Sequence, residues 1–324
     1  MRPMNKILLF LTVTLPIFFA SAANAGLVKD QVLNIDNIDR TYDLFIPDGD
    51  IGEARPLVLL LHGHFGDADV MTGENNKSAP YKVWLSIAQR EGWYLIIPDG
   101  EYGSDRKRGW NDCRGNTRVN PKTDDVKFLN SLVDKVASQY SINQNRVYAH
   151  GTSNGGIMAY RLAQESSDRY RAVAAIVASM PEKNKCIEPT NPTSVLVMNG
   201  TEDPLLPYQG GGIGKNEFSH KIRGSVLSTP ETINYWLTRN QLSSQAETRV
   251  FPNINRRDDS TVHLTEYQDS ARNIEVVLYE IRGGGHTEPS LTEHYHRLYK
   301  RIVGTQNKDF EMAEEVWKFF ERNR

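Results

Sequence analysis

Apolar residues in this chain gather into short runs separated by polar stretches rich in glycine and proline. Leu57–Leu61, Trp93–Ile97, Ala172–Ala178 and Ser194–Met198 are nearly continuous, the pattern of strands buried on both faces. Thr41–Ile46 alternates instead and is stopped by Pro47, which predicts an edge strand. Arg146–Ala149 and Ile274–Ile281 complete the predicted strands. Between them the spacing becomes helical. Ser78–Glu91 places Val83, Trp84, Ile87 and Ala88 on one side and stops at Gly92. Thr123 is placed to cap a helix with Asp124 and Asp125 in its first turn and Val126, Leu129, Val133 and Val136 as its stripe. Ile157–Ala163, Thr229–Arg239 and Asp309–Phe320 also read as helices, and Gly210–Gly214 as a surface loop. Strands alternating with helices predict a mainly parallel sheet covered on both faces. No repeat or linker interrupts residues 26–324, which therefore read as one α/β domain.

One stretch organises the rest. Arg146–Ala149 and His150 run into Gly151-Thr152-Ser153-Asn154-Gly155-Gly156, and a helical segment follows. Strand, Gly-x-Ser-x-Gly turn and helix together form the nucleophile elbow of the α/β-hydrolase fold. So sharp a turn strains the backbone at Ser153 and leaves no room for a Cβ at the flanking glycines. The serine hydroxyl is then presented at a helix N-terminus, where developing negative charge is favoured.

A serine hydroxyl needs a base, and the fold expects an acid and then a histidine, each just past a strand. Ser194–Met198 leads into Asn199-Gly200-Thr201-Glu202-Asp203-Pro204, which offers Glu202 or Asp203. Ile274–Ile281 leads into Arg282-Gly283-Gly284-Gly285-His286. Taken singly, each is what a solvated loop would carry; their order and placement point to Ser153 as nucleophile and His286 as general base. The oxyanion hole is expected from the backbone N–H of Asn154 and of His64, in the His62-Gly63-His64 turn after the first buried strand. A His-x-His pair can also bind zinc, but the metallo-hydrolase pattern wants Asp67 one residue nearer and a further histidine beside it. No metal and no cofactor are therefore expected. His294 and His296 read as solvent-exposed and Arg106-Lys107-Arg108 as a solvated loop. Trp110 could line the site or merely pack a loop.

The N-terminus reads separately. Arg2 and Lys6 precede an apolar run from Ile7 to Ala20, and Ala23-Asn24-Ala25 is a small-x-small cleavage site. Residues 1–25 thus read as a secretory signal, interrupted by Pro16, with cleavage after Ala25 and a secreted or periplasmic product. No cysteine stands immediately after the cleavage site, so no lipid anchor to a membrane is expected. Removing two basic and no acidic side chains takes the formal net charge from -2 to -4. That balance argues against nucleic acid or an anionic membrane as partner. The chain has two cysteines, Cys113 and Cys186, and export makes a disulfide between them the expected state.

Several segments resemble the polyhydroxybutyrate depolymerase/feruloyl esterase family of secreted α/β-hydrolases. They are Trp110-Asn111, Asp124-Asp125-Val126, Gly151–Gly156, Gly200-Thr201-Glu202-Asp203-Pro204 with Pro207-Tyr208, Gly284-Gly285-His286-Thr287 and Trp317-Lys318-Phe319-Phe320. The resemblance spans about Tyr42 to Phe320. It implies carboxylic ester hydrolysis through an acyl-enzyme and selects Asp203 over Glu202 as the acid that orients His286. One departure stands out: the family usually carries tryptophan where this chain has Glu288. This removes an aromatic wall and is expected to set a substrate-facing carboxylate near His286 that repels anionic acyl groups. A small or oligomeric soluble ester is the expected substrate, since no further module for adsorbing to a solid polymer is apparent. The alternatives are a serine peptidase or amidase of the same fold, and a binding protein that has kept only the fold.

Overall fold

The computed structural model describes residues 25–49, 53–74, 80–188 and 191–324. The predicted leader, Ala25 aside, lies outside the described residues, as does Ser78 at the predicted start of the first long helix.

Ten strands form one sheet: β1 (Gly26–Ile35), β2 (Ile38–Ile46), β3 (Arg55–Leu61), β4 (Tyr94–Pro98), β5 (Ile142–Thr152), β6 (Ala172–Ile176), β7 (Ser194–Gly200), β8 (Glu247–Val250), β9 (Thr261–Asp269) and β10 (Ile274–Arg282). Their spatial order is β1-β2-β4-β3-β5-β6-β7-β10-β9-β8. The six strands from β4 to β10 in that order run parallel, and antiparallel strands close both ends.

Among the described residues eight α-helices accompany the sheet: α1 (Ala68–Thr72), α2 (Val83–Glu91), α3 (Asp125–Gln139), α4 (Asn154–Glu165), α5 (Glu217–Arg223), α6 (Thr229–Asn240), α7 (Arg297–Val303) and α8 (Met312–Arg322). Alternate side chains of the buried strands feed two cores. Leu57, Leu59 and Leu61 pack with α3, α4 and α6, whereas Val58 and Leu60 pack with α1, α2 and α8. This is why the runs lack alternation in sequence: each face has its own apolar cover.

Several expectations need correction. Thr41–Ile46 is not an edge strand, because β1 pairs along it from Gly26 to Ile35. β1 escapes notice because none of its positions is fully buried and it carries Lys29, Asp30, Gln31 and Asn34. The cap of α3 is Asp124, whose carboxylate accepts from Lys127 N at 3.0 Å, and not Thr123. β6 ends at Ile176, and Val177 then turns with φ 46°. The helix drawn from Asp309 begins at Met312. Inside the 210–214 loop, Gly211–Gly212 pairs with Ser225–Val226 in a short ladder.

The expected Cys113–Cys186 disulfide is present and joins residues 73 apart, with Cα atoms at 5.4 Å. By loop-closure entropy alone a link of this span stabilises by about 4 kcal/mol. It fixes the loop before the elbow against the one after β6, where Lys185 N also donates to Cys113 O at 3.0 Å. Cys113, Glu165 and Cys186 converge as a metal site might, but both sulfurs are consumed by the disulfide.

Candidate active site

Ser153 sits between β5 and α4 with φ 53° and ψ -119°, the strained backbone expected of an elbow. Its N–H donates to Ile176 O of the neighbouring strand at 2.9 Å, and its carbonyl accepts from Ile157 N at 2.9 Å. The strain is therefore held from both sides. Gly63 lies beside it: a Cβ added there would stand 3.4 Å from Ser153 Cβ. The His62–His64 turn thus faces Ser153, and Asn154 begins α4, where a first-turn N–H has no acceptor within its own helix.

Adjacent strands deliver the other two groups. β7 and β10 are parallel neighbours, so the segments leaving their C-terminal ends meet. Glu202 N donates to Gly284 O at 2.9 Å and Thr201 N to Ile281 O at 2.9 Å. Glu202 itself points to solvent, while Asp203 is buried. Asp203 Oδ1 accepts from Leu205 N and Leu206 N at 2.7 and 2.8 Å, and Oδ2 accepts from His286 Nδ1 at 2.6 Å. With Nδ1 carrying the proton, Nε2 is the nitrogen left to accept one. The His286 loop is held from behind, with His286 N donating to Val303 O at 2.5 Å and Gly285 N to Thr305 O at 2.8 Å.

Burial alone would push the His286 imidazole down, but the Asp203 charge and hydrogen bond, helped by the charge of Glu288, outweigh it and leave the pKa raised; Arg223 opposes them. A base must be neutral to accept a proton, so activity resting on His286 climbs as pH rises through that raised value.

Glu288 does not face an open cleft. It is buried, and its two carboxylate oxygens accept from Thr152 Oγ1 and from the Tyr295 hydroxyl. Its carboxylate ties the residue before Ser153 to the loop of His286. This corrects the expectation of a substrate-facing carboxylate: what survives is the charge felt by His286. Glu288→Gln should keep the neighbours hydrogen-bonded while removing that charge. The rising limb of the pH–rate profile should therefore move to lower pH, and an unmoved limb would contradict the assigned influence.

Trp110 also resolves. It is fully buried, and its Nε1 donates to His62 O at 2.8 Å, so it packs beneath the His62–His64 turn and offers no surface to a substrate. The Asn154 side chain joins the same scaffold. Its oxygen accepts from Trp110 N at 2.7 Å and its Nδ2 donates to Asp112 Oδ2 at 2.6 Å. Asp112, which sequence reading passed over, also binds Arg114 at 2.8 Å. Thr152 and Tyr295 were likewise missed, because nothing in a lone hydroxyl marks it before its partner is known.

His62, His64 and His150 have structural partners. His62 Nδ1 bonds to Gly63 O at 2.7 Å and Nε2 accepts from Gly100 N at 2.8 Å, while burial pushes its pKa down to about 4. His64 Nε2 bonds to Asp105 Oδ2 at 2.8 Å, and burial lowers its pKa despite that carboxylate. His150 Nδ1 accepts from Trp84 Nε1 at 2.8 Å and burial takes it to about 3. His294 and His296 are exposed, the latter capping α7.

Sheet order and elbow define an α/β-hydrolase. An acetyl xylan esterase from Aspergillus awamori has the same fold, with a TM-score of 0.52 over 92% of this chain and 100% of that one at 11% identity. A model described as the prolyl oligopeptidase family matches residues 81–185, which include the elbow. A probable feruloyl esterase C of Aspergillus terreus is 30% identical over 219 residues, 65% of this chain and 74% of its own. Feruloyl esterase D of Neurospora crassa is 25% identical over 333 residues, 98% of this chain and 97% of its own. The chain belongs to the polyhydroxybutyrate depolymerase/feruloyl esterase family of α/β-hydrolases, and it is a carboxylic ester hydrolase.

Proposed function

We propose that the protein is an exported serine esterase in which Ser153 attacks the ester carbonyl, His286 takes its proton, and Asp203 fixes the imidazole. The observation that carries this reading is the 2.6 Å bond from His286 Nδ1 to Asp203 Oδ2, made on a loop that Glu288 ties to Thr152, the residue before the strained elbow serine. Attack would give a tetrahedral oxyanion within reach of the backbone N–H groups of Asn154 and His64. His286 then returns the proton to the departing alcohol, leaving an acyl-enzyme. Water, activated by the same histidine, releases the acid. No metal or cofactor enters this sequence of steps. Export is supported by the leader-like residues 1–25 and by the disulfide. Among the described residues no helix is long and apolar enough to cross a membrane.

Feruloyl and acetyl esters are the substrate classes suggested by the relatives' names. Small or oligomeric soluble esters remain preferred over a solid polyester film in this proposal. The peptidase reading is favoured by one observation, the prolyl oligopeptidase match across the elbow. A panel of nitrophenyl acyl esters run beside peptide nitroanilides separates the two. Esters should turn over faster, and a fluorophosphonate should label the peptide containing Ser153. Faster peptide cleavage, or label on another residue, would reject the esterase assignment.

A further inference from the structure

A second concavity, of about 980 Å³, lies away from the elbow between the 254–259 loop and α7 with the segment that follows it. None of Ser153, Asp203 and His286 lines it. Arg256, Arg257, Arg297, Lys300, Arg301 and Lys308 do, and its only acidic residues are Asp258 and Asp259. Six cations against two carboxylates leave a local charge of +4, on a chain whose formal net charge is -2. Among the described residues none of these six side chains has an ion-pair partner. Asp258 cannot easily supply one, because its carboxylate is turned into the wall. Oδ1 accepts from Ser260 N at 3.0 Å and Ser260 Oγ at 2.7 Å, and Oδ2 accepts from Lys308 N at 2.9 Å.

The walls are also fixed to one another. Asp309 Oδ1 accepts from Ile254 N and Asn255 N at 2.7 and 2.8 Å, and Asn307 Nδ2 donates to Ser260 Oγ at 2.9 Å. Like charges held together without counter-charges repel, and an occupant that neutralises several at once relieves that repulsion. Arginine forks match carboxylate and phosphate oxygens alike. The cations are spread over both walls of a cleft of oligomer size, so a single small anion would meet only a few of them. No aromatic ring lines the cleft, so nucleobases would find nothing to stack on.

We propose that this cleft is a binding site for a linear oligoanion, a chain carrying several carboxylate or phosphate groups. Its floor includes Gly304 and Thr305, and Thr305 O accepts from Gly285 N and from Thr287 Oγ1 at 2.8 and 2.6 Å. An occupant would therefore rest on the back of the loop that carries His286. The inference stands whether or not the ester chemistry is as proposed. It also extends a charge pattern that sequence reading did not single out, since the six cations come from three separated stretches.

Isothermal titration calorimetry with trigalacturonate, tripolyphosphate and neutral maltotriose tests it on the whole protein. At least one of the two anions should bind saturably, weaken as salt is raised, and outbind maltotriose. Binding of trigalacturonate assigns carboxylate as the recognised group, and binding of tripolyphosphate alone assigns phosphate. Arg257→Gln combined with Arg301→Gln should weaken binding about tenfold or more, because both exposed cations meet the ligand. Lys122→Gln, an exposed cation outside the cleft, should leave it unchanged. Absence of saturable binding by either anion, or equal weakening by Lys122→Gln, overturns the proposal.

Discussion

Ser153→Ala should lose about 10⁴-fold or more in kcat on a nitrophenyl ester while keeping its thermal transition. In the proposed mechanism its hydroxyl oxygen is the attacking atom, and no other group takes that role. The fold should not suffer, because no hydrogen bond that holds the elbow uses the Ser153 side chain; its backbone N–H and carbonyl make them. His286→Ala should lose a similar amount. Combining the two should cost little more than either alone, since each disables the same proton transfer. Asp203→Asn should lose less activity, because the histidine is kept but can adopt the wrong tautomer. Easily measured turnover by clean Ser153→Ala protein would remove the serine from the mechanism.

Gly155→Ala is the second large effect, and it acts through packing. A Cβ at this position would collide with the carbonyl oxygens of Leu61 and His62, both backbone atoms that cannot swing aside. Alanine in place of glycine favours a helix by about 1 kcal/mol, which works in the opposite direction. Overpacking against fixed backbone costs about 3 kcal/mol, so the clash wins. α4 would have to move away from the end of β3, carrying Asn154 and Ser153 with it. Both the melting temperature and the activity should fall. A variant that melts within about 1 °C of the parent would show that the helix can shift without cost.

Much of the central sheet was legible because its strands are buried on both faces. Runs such as Leu57–Leu61 and Ser194–Met198 have few alternatives as solvated structure. The elbow was legible because local sterics leave few residue choices around a turn that tight. Gly283-Gly284-Gly285-His286 could likewise be read, since a strand running into a flexible glycine loop is a local pattern. Elements at the margin were not. β1 and β8 are edge strands with many polar positions, and they are defined by the neighbours they pair with rather than by their own hydrophobicity.

The residues from 26 onward thus determined by themselves the fold class and the candidate serine and histidine, because backbone sterics and burial act over a few neighbouring positions. Only the tertiary structure decided which side chains share space. It buried Asp203 and left Glu202 in solvent, although the two are adjacent in the chain and chemically alike. It placed Glu288 against Thr152 and Tyr295, turning an expected surface charge into a buried tie between the elbow and the histidine loop. It gathered the cations of the second cleft from Arg256 and Arg257 on one side and from residues 297–308, about forty positions further on, on the other. The reason is common to all three. Electrostatics and hydrogen bonding depend on distance in space and on exclusion of water, and neither is a property of a residue's place in the chain.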